Sequence, residues 1–144
     1  MLVARAEERD LARAYRLMRH NMERYHHLHD LPWDQAWLED EYGDKDNFSL
    51  LRGGVWIGFL SLEWREDCLF INTLQLVPEL QGNIFGLKVF NWLLQQARDR
   101  QRPCLRCRSF RTNPALQLYR RLGFVQVAEQ GVLVELELAV SDVG

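Results

Sequence analysis

No apolar run in this sequence approaches the roughly 18 residues that a membrane-spanning helix needs. The opening residues, Met1 to Glu7, turn charged too early for a secretory signal. Both absences lead us to expect a cytoplasmic protein with no membrane partner. Cysteine is scarce, with only Cys68, Cys104 and Cys107. An odd number fits a reducing compartment and argues against a disulfide framework. Of the 18 basic residues only Lys45 and Lys88 are lysines. A surplus of positive charge is also missing. The formal net charge is −2 and the isoelectric point about 6.1, which argues against a nucleic-acid partner. There is no internal repeat and no low-complexity segment. For 144 residues a single domain, 1–144, is the natural expectation.

What is present suffices for a core, since 47% of the residues are hydrophobic. Charge is unevenly spread. Glu39, Asp40, Glu41, Asp44 and Asp46 make an acidic region, and a basic one runs from Arg98 through Arg121. Such runs are usually solvated faces; the sharper reading places some of the arginines near a phosphorylated ligand.

Taken in order, Leu2 to Arg5 is a short strand and a helix starts near Glu8. Leu11, Tyr15, Met18, Met22 and Tyr25 recur at helical spacing and form its core stripe. His26, His27 and His29, with His20 nearby, are the only histidines, and Asp30 follows them. A metal would need ligands at a recognised spacing, which this cluster lacks, so we expect no metal. Trp33 to Tyr42 reads as a second, short helix ended by Gly43. Strands follow over Phe48–Arg52, Val55–Trp64 and Cys68–Val77. Gly53-Gly54 supplies the first hairpin turn, so the three should be antiparallel.

The stretch from Leu74 to Gly86 organises the rest. It reads as strand, proline-ended break, polar turn with Gly82 and Gly86, and then a helix over about Ile84–Arg98 that buries Leu87, Phe90, Leu94 and Ala97. A turn that opens a helix presents unpaired N–H groups at the positive end of the helix dipole. A phosphate fits there. Cys104 to Arg108 is the next strand, parallel to Cys68–Val77 by the length of the crossover. The Cys104-x-x-Cys107 spacing lacks the helix start of a redox pair and the extra ligands of a zinc site. Asn113 is a good N-cap, Pro114 a good first residue and Gly123 a good C′ residue for a helix with the stripe Ala115, Leu118, Tyr119 and Leu122. Phe124–Ala128 and Val132–Leu138 are the last strands, and Val140–Gly144 reads as a tail.

This order of elements, with two motifs, resembles the GNAT superfamily of acyl-CoA-dependent N-acyltransferases over nearly the whole chain. One motif is Leu74 to Pro78 followed by Gln81-Gly82-Asn83-Ile84-Phe85-Gly86, similar to the family's Q/R-x-x-G-x-G/A turn. Ile84 stands where the family usually has its first glycine. The other is Ala115, Leu118, Tyr119, Gly123 and Phe124, in register with N-x-x-A-x-x-L-Y-x-x-x-G-F. Its asparagine is displaced: Thr112 holds the usual position and Asn113 lies one later.

The resemblance implies an α/β (α+β) fold, with a mixed, mostly antiparallel sheet of six to seven strands and four helices. It implies acetyl-CoA as co-substrate, bound by Gln81, Gly82, Asn83, Ile84, Phe85 and Gly86 at the pyrophosphate, by Leu76 and Val77 along the pantetheine arm, and by Asn113. Tyr119 resembles the general acid that protonates the departing thiolate. The base is harder to assign. Phe70, Asn72 and Leu74 offer no acid on the third strand, so Glu63 on the second is the candidate, with a water relay as the alternative. The acceptor would be a primary amine of a small molecule or protein, shaped by His26 to Asp34. A homodimer is left open. The alternative to an enzyme is a CoA-binding or interaction module of the same fold without transfer activity. A third reading, an RNA-associated protein, is disfavoured by the charge.

Overall fold

The computed structural model describes residues 1–82 and 84–142. It folds as two compact units, one comprising Met1–Leu62 and Thr73–Lys88, the other Glu63–Asn72 and the chain from Val89 onward.

The first unit opens with β1 (Leu2–Arg5) and α1 (Glu8–Leu28). Glu7 and Asp10 close a reciprocal capping box at the start of α1. The Glu7 N–H donates to Asp10 Oδ2 at 2.9 Å and Arg13 Nη2 donates to Asp10 Oδ1 at 2.6 Å. Burial alone would raise the Asp10 pKa, but these hydrogen bonds outweigh it and hold the carboxyl below its ordinary range. The buried face of α1 carries Ala14, Tyr15, Leu17, Met18, Asn21 and Tyr25 besides Asp10. It is rotated from the expected stripe, because two of its members are polar and so invisible to an apolar pattern.

α2 (Gln35–Tyr42) is capped by Asp34, whose side chain accepts from the Trp37 N–H at 3.0 Å. β2 (Asp46–Arg52) and β3 (Val55–Trp64) form the expected hairpin, with β1 antiparallel on the other side of β2. Gly53 and Gly54 have φ of +56° and +81°, values that side chains resist. Ala14, Tyr15, Met18, Leu38 and Phe59 make this unit's core cluster, with Trp33, Tyr42 and Trp56 packed against it. Each large side chain so buried contributes about 1.5–3 kcal/mol. At Gly58 a Cβ would lie 2.4 Å from the Gln75 carbonyl oxygen, so only glycine permits that approach.

β4 (Leu69–Leu76) leads through a single 3₁₀ turn, Pro78–Leu80, into α3 (Ile84–Asp99). In the second unit the first residues of β4 pair in parallel with β5 (Cys104–Phe110), Leu69 opposite Leu105, as the crossover length demands. α4 (Ala115–Leu122) ends at Gly123 with φ +105°, the left-handed C-cap. β6 (Val125–Gln130) and β7 (Leu133–Ala139) are antiparallel, and β7 pairs antiparallel with β5. All six residues of β6 are exposed, and its register shifts between Gln126 and Ala128.

Three expectations are corrected. Leu87 is 43% exposed, while Val89 and Leu93 are fully buried with Phe90, Leu94 and Ala97. The face of α3 therefore lies about one residue further round the helix. In α4 the buried residue is Leu116, and Leu118 faces solvent. The expected tail begins instead as a 3₁₀ turn, Val140–Asp142, whose Val140 N–H donates to the Pro103 carbonyl at 2.9 Å.

The strands follow the order β1-β2-β3-β4-β5-β7-β6, a seven-stranded, mostly antiparallel sheet accompanied by four helices, the mixed α/β architecture expected. Among the described residues no helix is long and apolar enough to cross a membrane.

Candidate active site

The first unit holds the turn. The Leu80 N–H donates to the Val77 carbonyl at 3.0 Å, and the Gln81 N–H to the Pro78 carbonyl at 3.3 Å. The backbone then swings through Gly82 at φ +75° and enters α3 at Ile84. Ile84, Phe85 and Gly86 lie in the first turn of α3, at the positive end of the helix dipole. Gln81 and Gly82 are exposed. Asn83 lies outside the described residues.

Ile84 does not occupy the left-handed region; the only non-glycine residues there, among those described, are Asp30 and Gln101. The departure from glycine at this position therefore carries no backbone strain. Its side chain is 59% exposed. Gly86 is also outside the left-handed region, and a Cβ there would meet nothing within 4 Å. Neither conformation nor packing in the protein demands glycine at 86, and glycine weakens a helix by about 0.5–1 kcal/mol relative to alanine. The donor set and the open space fit a diphosphate approaching the helix start.

Positive charge gathers at the same corner. The Arg52 guanidinium lies 5.0 Å from the Phe85 ring centroid and Lys88 Nζ 5.3 Å from it. No local pattern points to Arg52 here, because it ends a strand 33 positions from Phe85.

At the end of β4 the Val77 N–H donates to the Ile57 carbonyl at 2.9 Å. The Leu76 carbonyl turns towards α1 and accepts from Asn21 Nδ2 at 3.1 Å and Gln81 Nε2 at 3.0 Å. Asn21 Nδ2 also donates to Gln75 Oε1 at 2.9 Å, Gln81 Nε2 to Asn21 Oδ1 at 3.2 Å, and Gln75 Nε2 to Thr73 Oγ1 at 2.8 Å. Asn21 and Gln75 are buried. Gln81, expected to bind coenzyme, thus spends its side-chain amide on the protein. Asn21 and Gln75 had escaped notice. The one signal was an amide at helical spacing between Met18 and Tyr25, inside an apolar stripe.

The second unit holds Tyr119. Its ring, half-buried on α4, contacts Phe90 and Phe124 with centroids 5.7 and 5.6 Å away. Burial pushes the phenol pKa well above its ordinary value, and the Cys107 thiol adds in the same direction. Cys107 is itself pushed up to about 12, by burial and then by Glu135, so neither group ionises at neutral pH. Cys68, Cys104 and Cys107 are all buried and free. Glu63 ends β3 half-buried, its Oε1 3.3 Å from Arg65 Nε. Asn113 Oδ1 accepts from the Ala115 N–H at 2.9 Å. Pro114 therefore stands at the N-cap of α4, which begins at Ala115, so Asn113 lies one position before the N-cap it was expected to be and Pro114 is not the first helical residue.

A mixed sheet with a glycine turn leading from β4 into α3 is the arrangement of an acyltransferase fold. The chain belongs to the GNAT acetyltransferase family, whose model matches residues 9–124. No curated protein matches it in sequence. Among solved structures it is similar to the PaiA N-acetyltransferase of Thermoplasma acidophilum in complex with coenzyme A. That match has a TM-score of 0.79 at 15% identity and covers 96% of this chain and 98% of that one. The ribosomal-protein-S18-alanine N-acetyltransferase of Escherichia coli gives 0.73 at 20% identity over 96% and 93%. A chimera of the Vibrio cholerae spermidine N-acetyltransferase SpeG with hSSAT gives 0.71 at 19% identity over 99% and 98%.

Proposed function

We propose that residues 1–144 act as one catalytic domain, a cytoplasmic N-acetyltransferase moving acetyl from acetyl-CoA to a primary amine of a small molecule or protein. The observation that carries this reading is the turn from Val77 to Gly86. It combines a left-handed glycine, a helix start, two flanking cations and a second glycine that the protein's own packing does not need. Acceptors as different as spermidine and a ribosomal-protein alanine, named for two neighbours, share only the amine.

In this reading Gly82 to Gly86 grip the diphosphate, with Arg52 and Lys88 adding charge. The Val77 N–H and the Leu76 carbonyl are both engaged, so we assign the Leu76 N–H to the thioester oxygen, whose growing negative charge it stabilises. The amine nitrogen attacks the thioester carbon and the carbon–sulfur bond breaks. Tyr119 gives its proton to the departing sulfur, as the family resemblance implies. The amine must first lose its own proton, since with a pKa of about 10.4 it is almost wholly charged at pH 7. Glu63 takes that proton, through water. On this basis Glu63→Gln should slow transfer about tenfold at pH 7 and much less near pH 10, where the amine deprotonates unaided. A loss that is equal at both values would remove Glu63 from that role.

The Arg65 guanidinium against Glu63 favours the second reading, a CoA-binding module without transfer. Titration calorimetry with acetyl-CoA, followed by thiol release across a panel of amines, separates the two. Micromolar binding with amine-dependent release supports the enzyme. Binding without release from any amine supports the module, and no binding overturns both.

A further inference from the structure

The side-chain amides of Asn21 and Gln81 converge on one backbone carbonyl, and the Gln75 amide bonds to Asn21 beside them. Asn21 comes from the middle of α1, Gln75 and Leu76 from the end of β4, and Gln81 from the turn. The Leu76 carbonyl accepts from two amide groups at once, at 3.0 and 3.1 Å, and those two amides are joined to each other at 3.2 Å. Gln75 fixes the far side of Asn21 at 2.9 Å and is itself fixed by Thr73 at 2.8 Å. Both hydrogens of the Asn21 amide, and its oxygen, are therefore engaged. A buried amide whose capacity is filled this way holds one orientation, because any rotation leaves a donor or acceptor unpaired at about 1–3 kcal/mol.

We propose that Asn21 is a positioning residue for coenzyme binding. Through Gln81 it pins the turn from Pro78 to Gly82 against the end of β4. Through the Leu76 carbonyl it fixes the strand end whose N–H faces the thioester. No other side chain bonds to both Gln81 and Leu76 among the described hydrogen bonds. The turn is short, and among the described residues its backbone bonds are those of the Leu80 and Gln81 N–H groups, so a side-chain brace adds to what keeps its donors convergent. The brace comes from α1, the helix that leads into the His26–Asp34 segment.

This inference rests on the proposed function, and the test keeps the two apart. Affinity for acetyl-CoA is measured by titration calorimetry on the full chain as wild type, Asn21→Leu, Gln81→Met and the double variant. Each is checked for an intact fold by circular dichroism and a thermal melt. Gln81 is exposed, so Gln81→Met keeps the test open even if Asn21→Leu fails to fold. Each single variant should weaken acetyl-CoA about tenfold, the worth of one such hydrogen bond. The double variant should weaken it no further than either single, because both break the same brace. Independent damage to stability would give multiplied losses instead. Folded variants that bind as tightly as the wild type, or losses that multiply, overturn the positioning role and leave the function standing. A wild type that does not bind acetyl-CoA overturns both.

Discussion

Tyr119→Phe should lower kcat by about 10²–10³-fold while leaving acetyl-CoA affinity within a factor of two. The substitution removes one oxygen and keeps the ring, so the contacts with Phe90 and Phe124 at 5.7 and 5.6 Å persist and α4 stays packed. Only the proton donor is lost, and the thiolate must then leave unprotonated or wait for water. The raised phenol pKa sets the pH behaviour. A tyrosine whose pKa lies above its ordinary value keeps its proton to higher pH, so the acid form is present throughout the neutral and mildly alkaline range. The wild-type rate should rise with pH as the amine deprotonates and show no descending limb near pH 10, where an unperturbed phenol would ionise. Thiol-release kinetics from about pH 6 to 10 check both points. Undiminished turnover in the phenylalanine variant removes Tyr119 from the chemistry.

Gly86→Ala should act in opposite directions on stability and binding. An added Cβ meets nothing within 4 Å and the backbone is not left-handed, so the helix gains the usual alanine advantage of about 0.5–1 kcal/mol. That corresponds to a rise in the unfolding midpoint of roughly 2–3 °C. The same methyl occupies the space through which a diphosphate reaches the N–H groups of the first turn. Losing even one hydrogen bond to a charged oxygen costs about 1.5–3 kcal/mol, so acetyl-CoA should bind at least about tenfold more weakly. A melt and a calorimetric titration in the same buffer give both signs from one preparation. A variant that is stabilised and binds unchanged would place the diphosphate elsewhere.

The element order could be read from local signals. Gly53-Gly54 fixed the start of β3 and Gly123 the end of α4, because each position needs a backbone that only glycine takes easily. The β4–α3 turn was legible for the same reason. What stayed hidden depends on atoms distant in sequence. The brace on Leu76 joins side chains 54 to 60 positions apart, and Arg52 reaches Phe85 only through the fold. On α1 Tyr15, Met18 and Tyr25 are buried as expected, but an apolar pattern passes over the buried polar groups Asp10 and Asn21. On α3 Phe90, Leu94 and Ala97 are buried as expected, but the pattern does not rank Leu87 against Val89. Asn113, displaced by one position from the motif, accepts from the Ala115 N–H just before α4 begins.

The irregularity in β6 bears on how the protein behaves at high concentration. This strand stands last in the sheet with all six residues exposed, and a straight run of valine, glutamine and alanine in that position would be a template for strand pairing between molecules. The slipped pairing at Gln126 and Ala128 bends it, so a second molecule finds no flat ladder to extend. A local defect in hydrogen bonding thus makes the outer strand a poorer template for pairing between molecules.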